Sequence, residues 1–391
     1  MTKITNVALF FLAAGIFTSV TILSGYQILF AIPLTYYIFL AFKNKEFKLP
    51  NSAWFLLAFM AVALISLFLN FDLLPKPSKN FGRLKYFLFG VGGIFVLRAW
   101  LQEATDKTKK ILINTFFLTV IVAASYSFYY LTKSAYGRAR GLTETMRYGY
   151  GSGMMLLVLL SAILHHKKLG TWFNYKLAIG VFIIGFAGMY ITYTRGALLG
   201  FLCGFPFVIY FFNKKLGYIL GGFAALGILG LVAVYLFGSG QSNSRFLLNK
   251  NNTSDVIRRS QWKAAILATQ EKPILGWGLS NFHSQLKRIK YQYDLDAKYY
   301  NDAHSHNLFL EVASGTGLVG LFFFLGWIIS WAIESFKSSQ LTRSLIIPFG
   351  VAFVVSSQFE VTFDANNASM IFFLYAMTMA ISFNLEVNPV S

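Results

Sequence analysis

The sequence predicts an all-α integral membrane protein with about twelve transmembrane helices and one large loop that contains short helices. Three observations carry that expectation. Of the 391 residues, 56% are hydrophobic and only 13% charged, with a mean hydropathy of +0.57, which is far from a soluble domain of this length. Apolar stretches recur at lengths near the roughly 20 residues that cross a hydrocarbon core. One long polar interruption, 239–306, separates the last three of them from the rest.

In chain order the candidate spans are 5–23, 25–42, 52–70, 84–101, 111–132, 149–164, 177–193, 196–212, 216–238, 307–333, 345–358 and 368–385. The sixth and eleventh fall short of a full crossing. The first resembles a signal peptide in its apolarity, but no small-residue cleavage site follows it and a second span begins at once, so it reads as a retained helix;. Cys203 is the only cysteine, which excludes an internal disulfide framework and a cysteine metal cluster;. With no repeat and no low-complexity linker, residues 1–391 read as a single polytopic domain with the 239–306 loop inside it;.

Charge placement says more than the net charge of +19. With the N-terminus in the cytoplasm, 15 of the 34 basic residues fall on inside segments, nine on short outer loops and ten on the long loop. Short loops therefore favour this orientation. The outer side is nonetheless basic: Lys76, Lys79, Arg83 and Lys85, then Lys133, Arg138, Arg140 and Arg147, then Arg195. Basic residues there oppose the insertion signal, so the set points to a polyanionic ligand, although a solvated face or anionic lipid accounts for any single one. Nucleic acid is excluded as a partner, because the charges lie on several loops between spans and not on one soluble face. A lipid-linked phosphate or pyrophosphate fits better, since arginine offers it a planar two-pronged donor.

Tyr190-Ile-Thr-Tyr-Thr-Arg195-Gly196-Ala197 joins two apolar runs with almost no loop, which puts Arg195 at the membrane boundary. An ionisable residue at that depth reads as functional unless it snorkels to water. Within the long loop, Ser254-Asp255 signals a helix start and Pro273 a stop;. Ile257, Ala264 and Ala268, widened by Trp262, Ala265 and Ile266, form its apolar side, leaving Arg258, Arg259 and Lys263 sideways or outward. Such a basic amphipathic helix is compatible with a surface role as well as with a site.

Gly276-Trp277-Gly278, Asn281-Phe282 and the tyrosines 291, 293, 299 and 300 follow; aromatic rings of this kind contact sugars or populate membrane interfaces. Asp294-Leu295-Asp296 is a weak metal pattern;. His304 and His306 lie just before the apolar run that begins at Leu308, and no third metal ligand stands at a usual spacing from them, so no metal and no cofactor are expected;. A neutral His306 at the water boundary can act as a general base, or it can cap the helix that follows.

These pieces resemble the O-antigen ligase and O-antigen polymerase family of bacterial envelope glycosyltransferases. The resemblance covers roughly 135–325. It rests on Thr194-Arg195-Gly196-Ala197, on Arg258-x-x-x-Trp262 followed by Pro273-Ile-Leu-Gly276-Trp-Gly278-x-x-Asn281-Phe282, and on His306-Asn307 followed by Gly317-x-x-Gly320.

It implies twelve helices with a large periplasmic loop in the bacterial inner membrane. The implied substrates are a glycan carried by undecaprenyl pyrophosphate as donor and lipid A-core as acceptor. The implied chemistry is metal-independent inverting transfer, with Arg195 and Arg258 on the pyrophosphate and His306 as base. Arg140, Arg147, Arg259, Lys85 and His304 are then candidate substrate contacts. A polymerase that extends lipid-linked chains is the alternative within the family. A lipid-linked oligosaccharide flippase is the alternative outside it.

Overall fold

The computed structural model describes residues 1–45, 47–134, 139–237, 253–295 and 304–387, and every regular element among them is helical. Fifteen α-helices follow in chain order: α1 (Thr2–Gly15), α2 (Val20–Lys43), α3 (Asn51–Leu69), α4 (Pro77–Phe81), α5 (Leu84–Glu103), α6 (Asp106–Lys133), α7 (Thr145–Leu164), α8 (Tyr175–Tyr190), α9 (Arg195–Phe212), α10 (Lys214–Phe237), α11 (Thr253–Glu271), α12 (Phe282–Gln292), α13 (Leu308–Lys337), α14 (Gln340–Ser356) and α15 (Ala365–Val387).

A helix lies on each of the twelve apolar stretches. Among the described residues seven are long and apolar enough to cross a membrane unaided, while α1, α8 and α14 are shorter apolar helices. The first boundary differs from expectation: α1 stops at Gly15, and 20–23 belong to α2. The cause is local, since Ser19 is extended and its side chain accepts hydrogen bonds from the Thr21 and Ile22 amides; an N-cap of this kind starts a new helix.

Contacts between helix ends sort the connections into two groups. At one end Thr2 meets Glu103, Ser52 meets Glu334, and Gln340 joins Lys168 to the Phe211 carbonyl. At the other, Asn366 binds the Gly15 carbonyl, Ser127 the Arg140 carbonyl and Ser66 the Gly315 carbonyl. Successive membrane helices therefore alternate in direction, and both histidines of interest lie at the second end. Trp327, Trp331, Phe353, Phe372 and Tyr375 stack and tilt against one another in the middle of the core. Close approach of α9 to α14 needs small residues: a Cβ at Gly200 would sit 2.3 Å from Ser356 Oγ, and one at Gly204 2.6 Å from the Pro348 carbonyl;.

The long-loop helix forms where the sequence places it. Ala264, Ala265 and Ala268 of α11 are buried against Phe282, Leu286 and Ile289 of α12 in a second, small core. Ile266, expected on that face, is exposed instead, and Gln261 is buried in its place. Seating this unit on the membrane helices breaks α13. Gly317 lies at φ 69° within that helix, and a Cβ there would stand 2.1 Å from the Ile274 carbonyl. Into the break run 273–278, where Trp277 N donates to Ser314 O at 2.9 Å, Gly278 N to Gly315 O at 2.8 Å, and Leu318 N to Pro273 O at 2.7 Å. The two glycine-containing motifs thus meet as one backbone junction.

Candidate functional site

The site is built around a strained residue. His306 adopts φ 51°, a left-handed backbone that a non-glycine residue keeps only when its surroundings enforce it. They do so from both sides. Asn307 caps α13 by accepting from the Phe309 and Leu310 amides, at 3.0 and 3.1 Å. Its amide group reaches Gln358 at 3.3 Å, and Leu308 N donates to the Ser357 carbonyl at 2.8 Å. Before it, Ser305 N donates to Glu311 Oε2 at 2.9 Å. From above, Trp262 Nε1 of α11 donates to the His306 carbonyl at 3.4 Å. The capping expected of His306 is performed by Asn307 instead, because its side-chain oxygen reaches the Phe309 and Leu310 amides.

That ring meets a carboxylate the sequence did not single out. Glu360, in the turn between α14 and α15, lies between both imidazoles: its Oε2 is 3.1 Å from His306 Nδ1, and its Oε1 is hydrogen-bonded to His304 Nε2. Burial would raise the Glu360 pKa, but hydrogen bonds from His304 and His306 and their positive charge overcome it and hold the carboxyl well below its usual range;. Burial works against charging His304 too; the hydrogen bond and charge of Glu360, aided by Glu311 and Glu144, prevail and raise its pKa. An ionised Glu360 can only accept, so His306 Nδ1 carries the proton of the neutral ring. Its Nε2 is then the nitrogen with the lone pair.

A cavity of about 400 Å³ opens beside this trio. Lys76, Lys79 and Arg83 from the α4 region and Arg147 from α7 line it, along with His283 of α12 and the carboxylates Glu144, Glu311 and Asp364. Arg147 Nε is 3.4 Å from Glu144, and Arg83 is anchored on the Phe363 carbonyl. Four cationic side chains thus share one wall with four carboxylates, Glu360 included, and with His283, His304 and His306.

The candidate residues divide accordingly. His304, His306 and Arg147 line the cavity. Lys85 does not: it points out along α5 with its ammonium 5.3 Å from the Tyr86 ring centre, and Arg83, two residues earlier, takes the cavity position. Arg140 and Arg259 are exposed and outside the wall. Arg195 and Arg258 are half-buried and do not line this cavity; Arg195 instead lines a separate small one with Tyr190, Tyr193 and Leu198. The glycine after Arg195 packs under Tyr150, a wall residue, and Phe359, next to Glu360. Arg258 stands one turn before Trp262, which holds the His306 carbonyl.

Trp277 contacts Lys272 and Arg288 at 4.0 and 4.7 Å and lies outside the cavity wall, as do Tyr291 and Tyr293. Tyr299, Tyr300, Arg138 and Asp296 fall outside the described residues, so the Asp294–Asp296 pattern is represented by an exposed Asp294 alone.

His304, His306 and Glu360 bring one ligand atom each within 4.8 Å of one another. The third group that the local spacing lacked is supplied from 54 residues away. The trio can therefore hold a divalent ion, or serve as two imidazoles oriented by one carboxylate. Glu360 carries no flanking motif that marks it; only its place in a polar Glu-x-Thr-x-Asp run between two apolar spans hints at a role.

Residues 180–325 match the family model described as O-antigen ligase, which supports that family for this chain. No curated protein matches it.

Proposed function

Taking the O-antigen ligase match over residues 180–325 as premise, we propose that this protein transfers a glycan from undecaprenyl pyrophosphate to lipid A-core at the periplasmic face of the bacterial inner membrane. The observation that carries this reading is His306 on the wall of a cavity that also holds Lys76, Lys79, Arg83 and Arg147, with its Nδ1 held by Glu360.

In this reading the acceptor hydroxyl attacks the anomeric carbon and gives its proton to His306 Nε2. A new glycosidic C–O bond forms while the bond to the pyrophosphate oxygen breaks, and that oxygen leaves with the electron pair. Pyrophosphate is a good leaving group, so it needs stabilised charge and no proton. Arg83, Arg147, Lys76 and Lys79 supply that charge from the wall. Glu360 stabilises the imidazolium as it forms, which is the part an aspartate plays toward histidine in hydrolytic triads. Attack opposite the leaving group inverts the anomeric centre, and no metal is required. Holding both lipid-borne substrates at one interface lowers the entropic cost of their encounter.

Reconstitution tests it. Purified protein receives a lipid-linked glycan with either lipid A-core or a second lipid-linked unit, with and without chelator. Glycan on lipid A-core supports the ligase; longer lipid-linked chains alone assign the polymerase reaction instead. A His306→Ala protein that expresses and binds donor normally yet still moves glycan across the membrane points to a flippase.

A further inference from the structure

Of the four carboxylates on the cavity wall, three are engaged by the protein itself. Glu360 is held by His304 and His306. Asp364 accepts from the Asn366 and Asn367 amides, both at 3.0 Å, and from Asn367 Nδ2 at 2.8 Å. Glu144 lies 3.4 Å from Arg147 Nε. Glu311, in the first turn of α13, differs from them. Its Oε2 accepts from Ser305 N at 2.9 Å. Its Oε1 accepts no hydrogen bond among the described residues, and although only 7% of the residue is exposed, that oxygen stays open to solvent on the cavity side.

The bond to Ser305 sets where the open oxygen stands. Ser305 immediately precedes His306, and Glu311 and His306 line the same cavity. A molecule that gives a proton to the imidazole therefore has a carboxylate within the same wall. A carboxylate repels phosphates, which Lys76, Lys79, Arg83 and Arg147 attract;. The group that suits it is a neutral hydrogen-bond donor, and a sugar ring offers several hydroxyls of that kind. Support of the His306 loop accounts for Oε2 alone.

Resting on the glycosyl-transfer reading above, we propose that Glu311 positions the acceptor. Its Oε1 accepts a hydrogen bond from a hydroxyl of the acceptor sugar other than the one that reacts, which turns the reacting hydroxyl toward His306 Nε2. Glu311 is then a specificity-determining residue for the acceptor and not for the donor. An acceptor without that hydroxyl leaves a largely buried carboxylate oxygen unsatisfied once the site is filled, and is rejected for that reason.

The purified full-length protein is assayed with core acceptors that each lack one hydroxyl of the terminal sugar. One of them, deoxygenated at a position that does not receive the glycan, is expected to fall about ten- to hundredfold in kcat/KM. In Glu311→Gln, whose amide oxygen can still accept from Ser305 N, that penalty should shrink by about fivefold or more while donor KM stays within about twofold. The penalty is a ratio of two acceptors on one protein sample, so it does not depend on how much of the variant is folded. Wild-type penalties all within about twofold, an unchanged penalty in Glu311→Gln, or a raised donor KM in place of the lost penalty each overturns the proposal and leaves the transfer reaction standing. No transfer to any core acceptor by the wild type overturns the glycosyl-transfer reading and this inference with it.

Discussion

His306 Nδ1 lies 3.1 Å from Glu360 Oε2, a pairing that spans 54 residues of chain and joins the loop before α13 to the turn after α14. It fixes which imidazole nitrogen is protonated and therefore which one can take a proton. Because Glu360 is shared with His304, one buried carboxylate orders both rings.

Glu360→Gln keeps the size of the side chain but can donate as well as accept, so the His306 tautomer is no longer enforced. Turnover is expected to fall by about 10²–10⁴-fold, the range of a lost general-base contribution. The pH–rate profile should also change, because the one carboxylate that orders both rings is gone. A wild-type profile in the purified variant would remove Glu360 from the mechanism.

Stability should follow pH through the same trio. The lowered pKa of Glu360 means its contribution is present above the unfolded value near 4.5 and is lost as pH falls toward the folded one;. The raised pKa of His304 has the opposite sign: its contribution is full below the unfolded value near 6.5 and is lost as pH rises through the folded value;. The joint contribution is thus greatest between about 4.5 and 6.5. Thermal unfolding of His304→Gln against wild type, measured across pH 4–9, should show the difference shrinking at alkaline pH. A constant difference would break the linkage.

Arg83→Ala and Arg147→Ala each remove a cation from the cavity, whereas Lys85→Ala and Arg259→Ala remove cations outside it. Loss of one charge-assisted contact costs about 1.5–3 kcal/mol, or roughly a ten- to hundredfold rise in donor KM. The two outside changes should leave KM within about twofold. Equal effects from both pairs would mean that the cavity is not where the donor's anion sits.

Gly317→Ala meets the Ile274 carbonyl and a positive φ together. A destabilisation of about 2–4 kcal/mol is expected, from strain at the left-handed backbone and displacement of the 273–278 segment. Proteolysis within α11 and α12 should become faster before the membrane helices open. Melting unchanged from wild type would show the junction to be adaptable.

Metal offers a further test. Chelator should leave the rate unchanged, while Zn²⁺ should inhibit reversibly, because three ligand atoms within 4.8 Å can capture it and consume the base;. Activity lost to chelator and restored by a divalent ion would convert the histidine–carboxylate trio into a catalytic metal centre.

Much of this was legible without coordinates. A hydrophobic stretch long enough to span lipid must become a helix, because no other backbone arrangement satisfies its own polar groups there; the helix over 253–271 was equally marked by its Asp255 and Pro273. His306 was marked as well, by its position at the last polar step before Leu308. What the chain order could not supply was pairing across distance. Glu360 meets His306 because α13 and α14 run antiparallel and return the chain to the same membrane face, and Arg83 rather than Lys85 enters the cavity because the turn before α5 sets which side of the helix faces inward. Local pattern determined the helices and marked His306, since both follow from the solvent each residue meets; the pairing with Glu360, the charged wall and the break at Gly317 were decided by packing, which depends on residues far apart in the chain.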